Sequence, residues 1–186
     1  MDHGKCQARS KHRTTHSADT AQNQDLSGEY DSVLQLQGVP WIMRKVLNAA
    51  KVTLTIQESE VDGVTHLQIE SKPGAGLPPS TEARVFNNEP VEVEHPLFGK
   101  VRSQTRWATA AELDAVDASL AQGFEAGALA YVRTEHLEHE GTLTQQAWGF
   151  EEINGTRVHT RHVVVSKGDE VVKVKVVYDY LGGREQ

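Results

Sequence analysis

The chain has 186 residues and a formal charge of −7, with 19 Lys and Arg against 26 Asp and Glu. That length supplies one domain with a sizeable core, and the acidic balance excludes a nucleic-acid partner, because phosphate contacts need a basic face. Cys6 is the single cysteine, so no internal disulfide forms, and no run of about 18 apolar residues marks a membrane span.

Residues 1–25 hold almost no large apolar side chains and lack the apolar core of a secretory signal. They read as a disordered tail whose histidines, His3, His12 and His16, are solvated. The folded domain is assigned to 26–186, in a cytoplasmic protein for which no protein partner is inferred. An opening strand is expected at 28–33. A stub of helix follows, with Pro40 in its first turn, Ile42, Met43, Val46, Leu47 and Ala50 on one face, and Arg44, Lys45 and Asn48 on the other.

From residue 52 the dominant period is two. Val52, Leu54 and Ile56 alternate with polar residues, Asp62-Gly63 makes a hairpin turn, and Thr65, Leu67 and Ile69 repeat the pattern. Further strands are expected at 82–86, 91–94, 97–107, 129–137, 143–151, 157–165 and 170–178, with Asn154-Gly155 and Lys167-Gly168-Asp169 as turns. A second helical stretch opens with the capping-box pattern Thr109-Ala-Ala-Glu112 and carries Leu113, Val116 and Leu120 before Gly123. About ten short antiparallel strands with two stubby helices predict an all-β sandwich or up-and-down barrel.

Leu26-Ser27-Gly28-Glu29-Tyr30, Gly38-Val39 with Arg44-Lys45, residues 67–71 and residues 171–178 together resemble the intracellular fatty-acid-binding proteins. These are ten-stranded members of the lipocalin-like (calycin) barrels. The resemblance implies a helical lid over an internal cavity and covers most of 26–181. In that family an Arg-x-Tyr motif on the last strand, with a second arginine two strands earlier, grips the ligand carboxylate. Here the motif reads Val176-Val177-Tyr178, and Trp148 falls where the second arginine belongs. On that alignment the cavity has no carboxylate clamp, and the extra helical segment at 109–122 covers or narrows an opening. The ligand is then bulky, hydrophobic and largely neutral: a terpenoid, polyketide or lipid. Small barrels of this kind also occur in fungal natural-product pathways, where some promote cyclisation of a reactive substrate.

Strand parity predicts the inward faces. Val172, Val174, Val176 and Tyr178 point in from the last strand, Thr144, Gln146, Trp148 and Phe150 from the strand at 143, and Val101, Ser103, Thr105 and Trp107 from the strand at 97. On 157–165 the inner set is Val158, Thr160, His162 and Val164. The expected ligand-binding residues are therefore Trp107, Trp148, Phe150, Thr160 and Val176, with Trp41 and Met43 gating from the lid. His162, Tyr178 and Gln146 are the candidate catalytic groups, as acid, base or hydrogen-bond donor. Each has a structural alternative: the tryptophans as core fillers, His162 and Tyr178 as buried, hydrogen-bonded side chains.

His136-Leu-Glu-His139 sits at a strand end, where positions i and i+3 face opposite ways, so it reads as a solvated turn and no metal site is predicted. Asn154-Gly155-Thr156 is a glycosylation acceptor only in a secreted protein. There is no phosphate loop, dinucleotide fingerprint, cysteine nucleophile or serine elbow, so any chemistry is cofactor-free. The first functional reading is a barrel that encloses a hydrophobic small molecule. The alternative is a cyclase or isomerase of Diels-Alder type that uses the same cavity as a mould.

Overall fold

Tight turns fix the register of this chain. Asn154 and Gly155 both have positive φ (53° and 75°), the conformation of a two-residue type I′ hairpin, so Ile153 pairs with Thr156. Asp62 and Gly63 do the same (φ 50° and 79°), pairing Val61 with Val64. From such turns the side-chain period of two fixes every inward and outward residue along the paired strands.

A computed structural model describes residues 12–74 and 76–183. The elements run β1 (His12–Asn23), α1 (Asp31–Leu36), α2 (Trp41–Ala49), β2 (Val52–Val61), β3 (Val64–Pro73), β4 (Ser80–Val85), β5 (Val91–His95), β6 (Gly99–Ala108), α3 (Ala110–Asp114), α4 (Ala118–Ala121), β7 (Leu129–His136), β8 (Thr142–Ile153), β9 (Thr156–Lys167) and β10 (Glu170–Gly183). All ten strands lie in one sheet, ordered β4-β3-β2-β1-β10-β9-β8-β7-β6-β5, with antiparallel pairing throughout. The sheet curls into a half-barrel, and its edges β4 and β5 approach along a seam. Side chains bridge the seam: His95 Nε2 lies 3.5 Å from Glu82 Oε1, Phe86 packs on Trp107 with centroids 4.3 Å apart and rings tilted by 32°, and Trp107 Nε1 donates to Thr65 Oγ1 at 3.4 Å. No helix of the described residues is long and apolar enough to cross a membrane.

The start of the chain departs from expectation in two ways. The expected tail contains a strand, because β1 lies between β2 and β10. Its backbone is paired on both sides, and small side chains at Ser17, Thr20 and Ala21 are buried. Ladder hydrogen bonds give it the order that its few large apolar groups do not. Residues 1–11 lie outside the described residues. The strand expected at 28–33 is instead a turn into α1, whose Val33 and Leu36 share a face and enter a core with Leu54, Ile69, Val163, Val165, Val174 and Val176. Helix α1 therefore plugs one end of the barrel.

Helix α2 buries none of its residues. The apolar face expected to seal the barrel is only partly covered: Met43, Val46 and Leu47 are half-buried and Ile42 is 71% exposed. The helix is tied down through Asp31, which accepts from Asn48 Nδ2 (2.8 Å) and Arg44 Nε (3.3 Å). Thr109 and Glu112 form the expected capping box on α3. Leu113 and Leu120 pack with Ala108, Leu129, Tyr131, Ala147 and Val164, which lie on the outer face of the sheet. The 109–122 segment thus covers the outside of β7–β9, not an opening, and Val116 stays exposed.

Candidate ligand cavity

Opposite residues on paired strands share a face, so the interior reads as transverse rows. One row runs Val176, Arg161, Trp148, Ala130, Trp107 across β10, β9, β8, β7 and β6. The row on the α1 side runs Val174, Val163, Gln146, Val132, Thr105. On the other side Tyr178, His159 and Phe150 are in register.

These rows confirm the predicted inward faces of β6, β8 and β10 and reverse that of β9. His159, Arg161, Val163 and Val165 point in, whereas Val158, Thr160, His162 and Val164 point out. Valines occupy both faces of β9, so apolarity does not separate them. Register settles it: the Asn154-Gly155 turn already in the sequence places residue 161 opposite Trp148. The same count reveals Arg161 and His159, which sequence reasoning missed.

Arg161 stands in register between Val176 and Trp148, the two positions at which clamp arginines are missing. Its guanidinium carbon lies 4.9 Å from the Trp148 ring, 5.6 Å from Tyr30 and 5.9 Å from Tyr178, and Nη2 donates to the Tyr30 hydroxyl at 3.5 Å. Glu82 adds an attractive charge but is itself ion-paired to Arg84. Arg161 is largely enclosed by protein, keeps part of its surface accessible, and faces the concave side of the curled sheet, the hollow of the half-barrel. Four buried polar atoms on that side have no hydrogen-bond partner among the described residues: Arg161 Nε, His159 Nδ1, Trp148 Nε1 and Gln146 Oε1. Buried polar groups are ordinarily satisfied, so these four atoms on two adjacent strands, like six others elsewhere among the described residues, are open to water or another partner.

The electrostatics favour fixed donors over proton shuttles. Burial, with the Arg161 charge beside it, lowers His159 to about 4, so it is neutral at pH 7. Burial raises the Tyr178 phenol, against the pull of Arg161, and keeps its proton in place. Burial alone would raise Glu82, but the His95 hydrogen bond and the Arg84 charge prevail and hold it at about 2.

The remaining predicted residues are distributed as follows. Tyr178, Trp148 and Val176 lie beside Arg161, and Gln146 is in the next row, opposite Val163. Trp107 and Phe150, 43% and 41% exposed, sit at the rim. Trp41 and Met43 lie on α2, with Trp41 at the surface. His162 and Thr160 are on the outer face, in a separate network: His162 Nδ1 faces the Ser119 carbonyl at 2.6 Å and Nε2 faces Glu151 Oε1 at 2.5 Å. Thr160 and Lys175 also donate to Glu151 (2.8 and 3.0 Å), and Phe124 covers the imidazole at 4.4 Å. That arrangement pins α4 to the sheet and does not meet the hollow. His136, expected in a solvated turn, is buried and shares a hydrogen bond with Thr144.

No protein-family model matches the chain. Among solved structures it is similar to a mutant of the REP1-NXSQ fatty acid transporter (TM-score 0.55, 13% identity, 88% of this chain and 96% of that one). It is also similar to the fluorescent protein UnaG (TM-score 0.53, 18% identity, 86% and 93%). Both likenesses support the calycin fold. Among curated proteins it is 43% identical over 166 residues to the probable pericyclase scpY of Mollisia scopiformis, covering 87% of each chain. It is 42% identical over 166 residues to the pericyclase pydY of Acremonium sp., covering 87% of this chain and 89% of that one. At that identity and coverage the chain belongs to the family of these fungal pericyclases.

Proposed function

We propose that the chain is a pericyclase: it folds a hydrophobic conjugated substrate inside the half-barrel and promotes its cyclisation. The sequence reading put a carrier first and a cyclase second, and the relatives' names reverse that order. The observation that carries the proposal is Arg161, a guanidinium without its own carboxylate, among three aromatic rings beside a hollow with unpartnered polar atoms.

A pericyclic step converts π bonds into σ bonds within one substrate and needs no proton transfer, which suits a cavity whose His159 is neutral and whose Tyr178 keeps its proton. Holding the reacting carbons in a near-attack geometry lowers the entropic part of the barrier. A carbonyl conjugated to one reacting segment accepts from Arg161 and the Tyr178 hydroxyl, which withdraws electron density as charge shifts in the transition state. Aromatic walls at Trp148 and Tyr178, stacked 9° from parallel with centroids 6.2 Å apart, exclude water and present flat faces to a polyene.

Deleting the gene in its native host and adding purified protein to the accumulated linear metabolite tests this. Conversion to a product of the same mass with one more ring supports a pericyclase. Binding without conversion reduces the protein to a carrier. A cytoplasmic location belongs to the same proposal, and a fluorescent fusion in that host checks it.

A further inference from the structure

We infer that the segment over Ala130 is the slot in which the two reacting π segments stack, making Ala130 the residue that sets how thick a folded substrate fits. The identity of the occupant rests on the pericyclase reading. Ala130 lies between Trp148 and Trp107 in one inward row on three neighbouring strands. The two indoles pack against different neighbours. Trp148 packs toward β9 and β10, against Arg161 (4.9 Å), His159 (5.5 Å) and Tyr178. Trp107 reaches across the seam to Phe86 (4.3 Å) and Thr65. Between them stands only the methyl group of Ala130, which is 9% exposed.

Two strand spacings separate the tryptophan backbones by roughly 10 Å. Two π segments held about 3–3.5 Å apart for reaction, each with a van der Waals gap of about 3.5 Å to an aromatic wall, need about the same width. The slot also adjoins polar groups that await a partner: Trp148 Nε1 and, in the next row, Gln146 Oε1. It opens past Trp107 toward β5, where Val91 and Val93 have inward register and are nevertheless 54% and 47% exposed. A hydrocarbon tail leaves the slot along that apolar face while the carbonyl end remains at Arg161.

The test combines a thiol probe with a filling substitution. In a Cys6→Ser background, Ala130→Cys places one thiol on the floor, and a small methanethiosulfonate reagent should label it. Saturating 1,6-diphenylhexatriene, a neutral conjugated triene, should slow labelling by about tenfold or more, the protection expected of a buried, occupied site. Ala130→Leu should retain the fold by circular dichroism and bind the triene at least about tenfold more weakly. A thiol that does not label, labelling indifferent to the triene, or undiminished triene binding by Ala130→Leu each overturns the slot. The reaction itself separates the two claims. If the linear metabolite is not cyclised but the triene protects the thiol, the slot stands and the pericyclase reading fails. If Ala130→Leu cyclises it at the unmodified rate, the slot fails and the pericyclase reading stands.

Discussion

Arg161 stands directly opposite Trp148 across the β8–β9 ladder, with its guanidinium carbon 4.9 Å from the indole centroid and its Nε without a partner. On the proposed function, a cation in that position stabilises a substrate carbonyl more than it stabilises the empty protein, because Nε has no partner and the one hydrogen bond at Nη2, to Tyr30, is long at 3.5 Å. Arg161→Gln should lower kcat for cyclisation by about 10²–10³, the range seen when one preorganised donor is removed. Arg161→Met should leave the melting temperature unchanged or higher, since it relieves an enclosed charge that lacks its own carboxylate. Steady-state kinetics beside thermal melts check both, and a large stability loss would make Arg161 a structural group.

His162 predicts the opposite pairing of effects. Its ring joins the Ser119 carbonyl to Glu151 on the face away from the hollow. His162→Ala should cost about 2–3 kcal/mol by breaking a buried charge network and leave kcat per folded molecule unchanged. Urea unfolding with active-site-normalised rates reads this, and a rate loss at full folding would return His162 to the reaction.

Acid should unfold the protein in a definite window. Burial lowers His136 and His159 from 6.5 to about 4 in the folded chain. Between those values the unfolded state binds protons that the folded state refuses, so stability rises with pH there and falls as pH drops below 6.5. Each histidine contributes a loss on the order of 3 kcal/mol by pH 4. Glu82, lowered from 4.5 to about 2, keeps its full contribution only above its ordinary value and adds to the loss as pH falls from about 4.5 toward 2. Urea titrations from pH 7 to 4 should show the slope, and His136→Gln with His159→Gln should flatten it.

The plug offers a packing test. Leu36 is 8% exposed within the α1 core, and Leu36→Ala should cost about 2–5 kcal/mol. Ile42→Ala on the exposed α2 should stay within about 0.5 kcal/mol. Equal effects in thermal melts would mean that α2, not α1, closes the barrel.

Much of the fold was legible because alternation and Asx-Gly turns are local signals. They mark the strands from β2 to β10, and the capping box marks α3. The losses have physical causes. β1 is ordered by neighbours on both sides, which its own polar composition cannot announce. Helix α1 is too short for periodicity to separate Val33 and Leu36 from a strand. Tyr178, Gln146, Trp148 and Val176 were read onto the inward faces they occupy, from the Lys173 and Lys175 alternation on β10 and the aromatics of β8. On β9 both faces carry valines, so His162 and Thr160 were turned inward and Arg161 outward. Counting from the Asn154-Gly155 turn corrects both.

A crystal structure with the cyclised product bound is the most direct test of the account. We expect the product between Trp148 and Trp107 over Ala130, with its carbonyl oxygen within about 3 Å of an Arg161 nitrogen. Product seated instead in the outer pocket of about 350 Å³ bordered by Glu151, His162, Lys173 and Lys175, with the interior empty, would contradict it.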